Sequence, residues 1–402
     1  MRILYLVHRI PFPPDKGDKI RSYHWLEALG RRHEVHVATL RDDPADDEHI
    51  PELRKRAASC VVAPLEPGPA RMRALVGALA GRALSVGYFD HPLLRRAVAE
   101  RLEKGVDLAF CFSGPMASYV EGRRGLPKIM DLVDVDSAKF AAYSRLKPFP
   151  RNFIDRFEAS RLGAYEDRIA RTFDRTLLCT EPEAEILRKR VPGAPIEALG
   201  NGVVLPNRFS AEPRRSHRML FIGAMDYWAN VDAVVYAARE ILPIVRRSVP
   251  DATYHIVGRN PAPAVLELAG LDGVHVHGAV PDLGAHLEAA RLALVPLRVA
   301  QGIQNKVLEA MANGVPVVTA DNVARSLGAR SGQVLRAGSS AEELAAHAVT
   351  LLDDDDLARR LAIGARAFVE SEYSWEPRYR ALEALVEEVR ERCSATNTSA
   401  AR

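Results

Sequence analysis

Short apolar runs, each closed by a turn and followed by a stretch of helical periodicity, recur along the whole chain. This alternation limits the fold more than any other feature. RILYLVH ends at a Pro-Phe-Pro-Pro turn, KIRSYHWLEALGRR reads as a helix closing near Gly30, and HEVHVATL is the next strand; VDLAFCF, KIMDLV and RTLLCT continue the series. Successive strands separated by helices have to pair in parallel, because the crossover carries each helix over the sheet face. After about residue 205 the pattern restarts with RMLFIGAM, a helix over Val231 to Arg247, and the strands TYHIVGR, VHVHGAV, LALVPL and VPVVTA. The fold class this implies is α/β, with two Rossmann-like, doubly wound parallel-sheet domains facing each other across a cleft and ligands at the carboxyl ends of the strands.

The expected boundaries are 1–200 for the first domain, 201–216 for a linker rich in Pro, Asn, Ser and Arg, and 217–372 for the second. A helix over 373–393 is expected to pack back on the first domain, and the small, polar residues 394–402 to form a disordered tail. A chain of 402 residues suits two such domains. Its hydrophobic content of 48% and charged content of 27% exclude a disordered or membrane-spanning class. No signal-peptide pattern opens it, and the scattered Cys60, Cys111, Cys179 and Cys393 read as reduced residues of a cytoplasmic protein. Residues 1–200 carry 33 Lys and Arg against 28 Asp and Glu, whereas residues 201–402 carry 22 against 24. That mild basic bias fits an anionic substrate or a membrane surface and falls short of a nucleic-acid binder.

The most informative stretch for chemistry is QGIQNKVLEAMANGVPVV, residues 301–318. A helix opening at Asn305 and Lys306 beside a parallel sheet offers unpaired N–H groups, the positive end of its dipole and a full charge to a diphosphate. Glu309, three residues on, emerges near the same face, where a carboxylate can accept both hydroxyls of a ribose. Phosphate and ribose together point to a nucleotide. An amphipathic helix with a solvated Lys306/Glu309 pair is the bland alternative.

In the first domain, Gly17, Asp18, Lys19 and Arg21 surround the start of the first helix, where a glycine lets a ligand approach or Asp18 simply caps. IMDLVDVDS brings Asp131, Asp134 and Asp136 to a strand end. Crowded carboxylates suit general-base work, with Asp134 the stronger candidate for chemistry. Asp134-Val-Asp136 also spells a metal-binding D-x-D, and Asp136 or Ser137 capping the following helix is a structural alternative.

Taken in order, TEPEAEIL, NGVV, FIGAMDYWAN, HIVGR, VHVHGAVPDL and LVPLRVAQGIQNKVLEAMANGVPVV resemble the GT-B glycosyltransferases of family 4. GAMDYWAN with GIQNKVLEAMA is similar to the sugar transferases associated with PEP-CTERM/exosortase exopolysaccharide systems. The resemblance implies a UDP- or GDP-sugar donor bound by the second domain, at Gly223, Asn230, Arg259, Gln301, Gly302, Asn305, Lys306 and Glu309. It also implies a saccharide acceptor, lipid-linked, bound by the first domain, with Gly17, Asp18 and Arg21 in the glycine loop. Asp134, Asp136 and Lys306 are the catalytic candidates; no metal, cofactor or nucleic acid is implied. The family's paired glutamates sit eight apart, and here the earlier is Gln301 and the later Glu309; no basic residue follows Gly223. Lys306 and Arg259 stand in for that missing charge.

Family 4 further implies retention at the anomeric carbon, although a competent Asp134 base would permit inversion. RMRALVGALAGRALSVGYF, residues 71–89, and RLKPFPRNFIDRF, residues 145–157, are basic and apolar enough to touch the cytoplasmic face of the plasma membrane, or simply to pack as helices on the first sheet. Two rival functions remain open: a nucleotide-sugar epimerase, and a catalytically degenerate GT-B nucleotide-binding or interaction protein.

Overall fold

The computed structural model describes residues 1–14, 17–146, 148–206, 209–300 and 303–400. The chain divides into two compact units, Met1–Gly200 with Glu376–Arg402, and Asn201–Trp375.

The first unit is built on a seven-stranded sheet: β1 (Arg2–Val7), β2 (Glu34–Arg41), β3 (Ser59–Pro64), β4 (Leu108–Phe112), β5 (Lys128–Val133), β6 (Arg175–Leu178) and β7 (Ile196–Ala198). Every pairing is parallel, in the order β3-β2-β1-β4-β5-β6-β7. Central strands read as continuous apolar runs because helices cover both faces; every residue of β4, LAFCF, is buried. The second unit repeats the plan with β8 (Arg218–Ile222), β9 (Thr253–Val257), β10 (Val274–Gly278), β11 (Leu292–Val295), β12 (Val317–Ala320) and β13 (Arg336–Gly338), in the order β10-β9-β8-β11-β12-β13, again all parallel. Two doubly wound parallel sheets are the arrangement that the strand-helix alternation implies.

Three stretches differ from the sequence reading. The described residues of 201–216 belong to the second unit rather than to a free connector: Val203 N–H donates to the Tyr373 carbonyl at 2.7 Å, and Arg214 donates to the carbonyls of Glu288, Asn313 and Gly314. The helix over 231–247 begins at Trp228 and runs to Ser248 through a π turn at Ala237–Ile241. Pro243 has no N–H for a regular helical bond, and the widened turn lets Leu242 N–H reach the Ala237 carbonyl instead. The last helix, Trp375–Ala400, continues past Cys393, since SATNTSA holds neither Gly nor Pro to stop it. Within the first unit this helix is held by Arg31 to Glu376 at 3.0 Å, Arg175 to Glu388 at 2.6 Å and a His24–Tyr379 hydrogen bond. All four cysteines are free; Cys111 and Cys179 are core residues, while Cys60 and Cys393 are half-buried.

Candidate functional site

In the second sheet the winding reverses between β8 and β11, the position at which an open α/β sheet leaves a crevice at its carboxyl edge. The loop after β8 is tied to the loop after β9, with Gly223 N–H donating to the Val257 carbonyl at 3.0 Å and Met225 N–H to the Arg259 carbonyl at 2.9 Å. Close approach explains the glycine: a Cβ at Gly223 would lie 2.7 Å from Asn230 Nδ2 and 3.3 Å from Lys306 Nζ. Asn230 in turn donates to the Ala224 carbonyl at 2.9 Å and accepts from Lys306 through Oδ1. Gly223, Asn230 and Lys306 are therefore in one place, with the Arg259 backbone beside them.

Lys306 belongs to the helix Asn305–Ala312, which follows β11. Its far end is a Schellman cap: Gly314 takes φ 69° and donates to the Met311 carbonyl at 3.1 Å, while Val315 donates to the Ala310 carbonyl at 2.9 Å. Its near end has no such closure, because the residue before it, Gln304, is extended and its side chain does not cap the helix. Val307 N–H already donates to the Gln304 carbonyl at 2.9 Å, so the Asn305 and Lys306 N–H groups, with the positive dipole end, are those that an anion could take. Val307, Leu308 and Met311 pack into the core, leaving Lys306 and Glu309 on the other side. The two do not pair with each other, and Lys306 has no carboxylate partner among the described residues. Its ammonium sits 4.7 Å from the centre of the Phe221 ring, and burial pushes its pKa down to about 7. Burial also raises Glu309. Asn305 is turned to structure, accepting from Asn201 Nδ2 at 3.2 Å. Gln301 and Gly302 lie outside the described residues.

The first sheet reverses between β1 and β4. Just past their neighbouring carboxyl ends, Ser113 after β4 and Val133 at the end of β5 hold φ of 76° and 72°. Positive φ at a β-branched residue is a strained backbone that surrounding structure has to enforce, and such strain gathers at working sites.

The three aspartates separate sharply here. Asp131 is buried and saturated, accepting from Arg21 Nε at 2.7 Å, Trp25 Nε1 at 2.6 Å and Val133 N–H at 3.1 Å. Asp136 opens the helix Asp136–Leu146 and is paired with Lys139, one turn on. Asp134, between them, makes no side-chain hydrogen bond or ion pair with any described residue, and burial raises it to about 6. Glu183, whose carboxylate accepts Val135 N–H at 2.6 Å, is raised to about 7 by burial and by Asp134 itself. Asp134 is the one aspartate of the three whose lone pairs are open and whose pKa suits a base near neutrality.

Two expectations are corrected. Arg21 does not line a ligand loop: it is fully buried, its guanidinium held by the Asp131 carboxylate and lying over the Trp25 ring. Asp136, engaged by Lys139, is withdrawn both from base work and from a D-x-D pair. Asp18 is also engaged, by Arg9 at 3.0 Å and His8 at 3.4 Å, which hold its carboxyl well below the usual range despite burial. Among the described residues, one group of three potential metal ligands has donor atoms within 4.8 Å of one another, His33 with Glu383 and Glu387; the Asp134 segment is not part of it.

Sequence reasoning missed Phe221, Glu183, Ser113 and Val133. Thr180-Glu-Pro-Glu183 has the spacing of a capping box, and Thr180 Oγ1 does accept Glu183 N–H at 3.3 Å, so Glu183 was within reach of pattern reading. Positive φ at Ser113 and Val133 leaves no mark in composition.

Residues 216–354 match the family described as "Glycosyl transferases group 1". No curated protein matches the chain. Among solved structures, sucrose-phosphate synthase from Thermosynechococcus elongatus is 19% identical over 97% of this chain and 99% of its own, with a TM-score of 0.70. WaaG, a glycosyltransferase involved in lipopolysaccharide biosynthesis, is 17% identical over 94% and 98%, with a TM-score of 0.65. HepE of Anabaena, in complex with UDP and glucose, is 14% identical over 96% and 100%, with a TM-score of 0.64. The fold is GT-B. In GT-B terms, the uncapped helix with Lys306 belongs to the second Rossmann-like unit, inside the segment that matches the glycosyl transferase family, and Asp134 belongs to the first.

Proposed function

We propose that this GT-B protein is a glycosyltransferase that moves a sugar from a UDP- or GDP-linked donor to a saccharide acceptor during assembly of a cell-surface polysaccharide. The observation that carries this reading is Lys306: a buried ammonium with no described carboxylate partner, at the open first turn of a helix, at the reversal point of the second sheet. A diphosphate there would restore the charge that burial suppresses and take the helix N–H groups, so the departing nucleoside diphosphate is stabilised electrostatically without a metal. Glu309, on the same side, would hold the ribose hydroxyls, and Arg259 would add a guanidinium for phosphate oxygens. The family match over 216–354 and the UDP bound by the HepE structure support a nucleotide-sugar donor, UDP before GDP.

The first unit would bind the acceptor, with Asp134 taking the proton of the attacking hydroxyl. Inversion follows if Asp134 works opposite the leaving group; retention, the family 4 expectation, follows if the leaving phosphate takes that proton. Contact with the cytoplasmic face of the membrane is part of the same reading. The helix Pro67–Leu79 exposes Met72, Leu75, Val76 and Leu79 at helical spacing, with Leu79 91% exposed, beside Arg71 and Arg73. Among the described residues no helix is long and apolar enough to cross a membrane.

Thermal stabilisation by UDP, GDP and ADP against the matched nucleosides tests the donor site, since a ligand at 100 times its Kd adds about 2.7 kcal/mol. Stabilisation by one diphosphate, lost in Glu309→Ala and Lys306→Ala, is the expected result. Absence of any nucleotide effect would sink the transferase reading. Binding without transfer, with residual turnover indifferent to Asp134→Ala, would point to the degenerate alternative, for which Gln301 at the earlier glutamate position and the missing basic residue after Gly223 are the motivation.

A further inference from the structure

The helices Asp136–Leu146 and Arg151–Thr172 pack together in the first unit and enclose a groove of about 550 Å³. Its lining includes Ala141, Arg145, Phe149, Asn152, Phe153 and Arg156, and no carboxylate. Three properties coincide there. Phe149 and Phe153 are 81% and 67% exposed, an apolar wall that no described residue covers. Arg145 and Arg156 have no ion-pair partner among the described residues, although salt bridges are numerous elsewhere in this unit. Asn152 Oδ1 is buried and accepts no hydrogen bond.

Aromatic walls, two available guanidinium groups and an unused acceptor fit an amphiphile with an apolar chain, an anionic head and a hydroxyl. We propose that this groove holds the phosphate-bearing head of a lipid-linked saccharide acceptor, with the first part of the lipid chain along Phe149 and Phe153. Guanidinium groups grip phosphate oxygens in bidentate fashion. A sugar hydroxyl satisfies Asn152 Oδ1, whereas a bare phosphodiester has only acceptors to offer.

The helix also fixes a spacing. From Asp136, two residues past Asp134, to Arg145 the rise is about 13–14 Å at 1.5 Å per residue. A lipid phosphate at Arg145 therefore leaves room for a short saccharide before the hydroxyl that reaches Asp134. The substrate is then a lipid phosphate already carrying sugar, and an earlier transfer of a sugar or sugar phosphate onto that lipid has to supply it. This inference rests on the transferase reading.

The test uses the full chain with farnesyl diphosphate, farnesol, and phosphatidylcholine vesicles with and without phosphatidylglycerol. Binding is followed by tryptophan fluorescence and co-flotation, with UDP-dependent thermal stabilisation measured on the same samples. Farnesyl diphosphate is expected to bind at least about tenfold more tightly than farnesol, two charge-assisted contacts being worth more than about 1.4 kcal/mol. That preference is expected to vanish in an Arg145→Gln/Arg156→Gln double variant that still gains the wild-type stabilisation from UDP. Equal binding of diphosphate and alcohol, or an unchanged preference in the double variant, would overturn the groove assignment. So would binding to anionic vesicles alone, which would make the surface a general bilayer anchor. Intact nucleotide stabilisation with no lipid-phosphate binding defeats this inference only; loss of nucleotide stabilisation in the wild type defeats the transferase reading beneath it.

Discussion

Replacing Lys306 with methionine should make the ligand-free protein more stable while removing its response to nucleotide. Burial holds the Lys306 ammonium at a pKa of about 7 against an ordinary 10.5. At about 1.36 kcal/mol for each pKa unit, a full desolvation penalty of that size is roughly 4–5 kcal/mol once the pH lies below about 7. Relaxation and partial solvent access reduce it, and the thioether would leave Asn230 Oδ1 without its donor, a further cost of about 1–3 kcal/mol. The net expectation is a gain of about 1–2 kcal/mol, or roughly 2–8 °C in Tm for a unit of this size.

The pH dependence gives the sharper check. Because the folded pKa lies below the unfolded one, the unfolded state binds the extra proton between pH 10.5 and about 7. Wild-type stability therefore falls through that window as pH falls, and the variant escapes the loss. The advantage of Lys306→Met should be largest near pH ~6.5 and nearly gone near pH ~10. Differential scanning calorimetry at both pH values, with and without the preferred nucleoside diphosphate, reads both effects. A variant destabilised equally at the two pH values, or one still stabilised by nucleotide, would refute the reasoning.

Asp134→Asn should abolish transfer with little loss of Tm, and wild-type activity should fall on the acid side with an apparent pKa near 6, the value burial gives Asp134; a flat profile between about pH 5 and 8 would count against it as base. Asp131→Asn should cost about 3–5 kcal/mol, since it strands Arg21 inside the first unit; urea midpoints within about 0.5 kcal/mol of wild type would contradict that structural role. The histidines of β9 and β10 face Arg218, with His255 stacked on His275 and His277 and lowered to about 3 by burial and neighbouring positive charge. The folded pKa being depressed, stability is full above about 6.5 and drains as pH falls toward 3, so His255→Asn should flatten the denaturation midpoint measured between about pH 7 and 4.5.

Fold and site were legible to different degrees for physical reasons. Strand runs such as LAFCF and LALV announce themselves because a strand covered on both faces has to be apolar throughout. Lys306 and Glu309 stood out because a helix after a strand, with charge in its first turn, is a pattern of spacing alone. What spacing could not decide was the direction of a side chain relative to partners distant in sequence. Arg21 and Asp131 are 110 residues apart, and their union is what removes both from chemistry and leaves Asp134 open. Pro243 lies inside the stretch read as one uninterrupted helix, and its resolution as a π turn depends on packing. The 201–216 segment read as a linker because its composition is that of a loop, yet Arg214 ties it down through backbone carbonyls that composition does not reveal.

The central claim is transfer of sugar from a nucleotide donor, and the direct test is release of nucleoside diphosphate from a panel of UDP- and GDP-sugars by the wild type, Asp134→Asn and Glu309→Ala. One base is expected to be preferred, release to rise when a lipid-linked saccharide is added, and both variants to fall by at least about tenfold. Wild-type release indistinguishable from buffer across the panel, with nucleotide binding intact, would contradict it and leave a GT-B protein that binds without transferring.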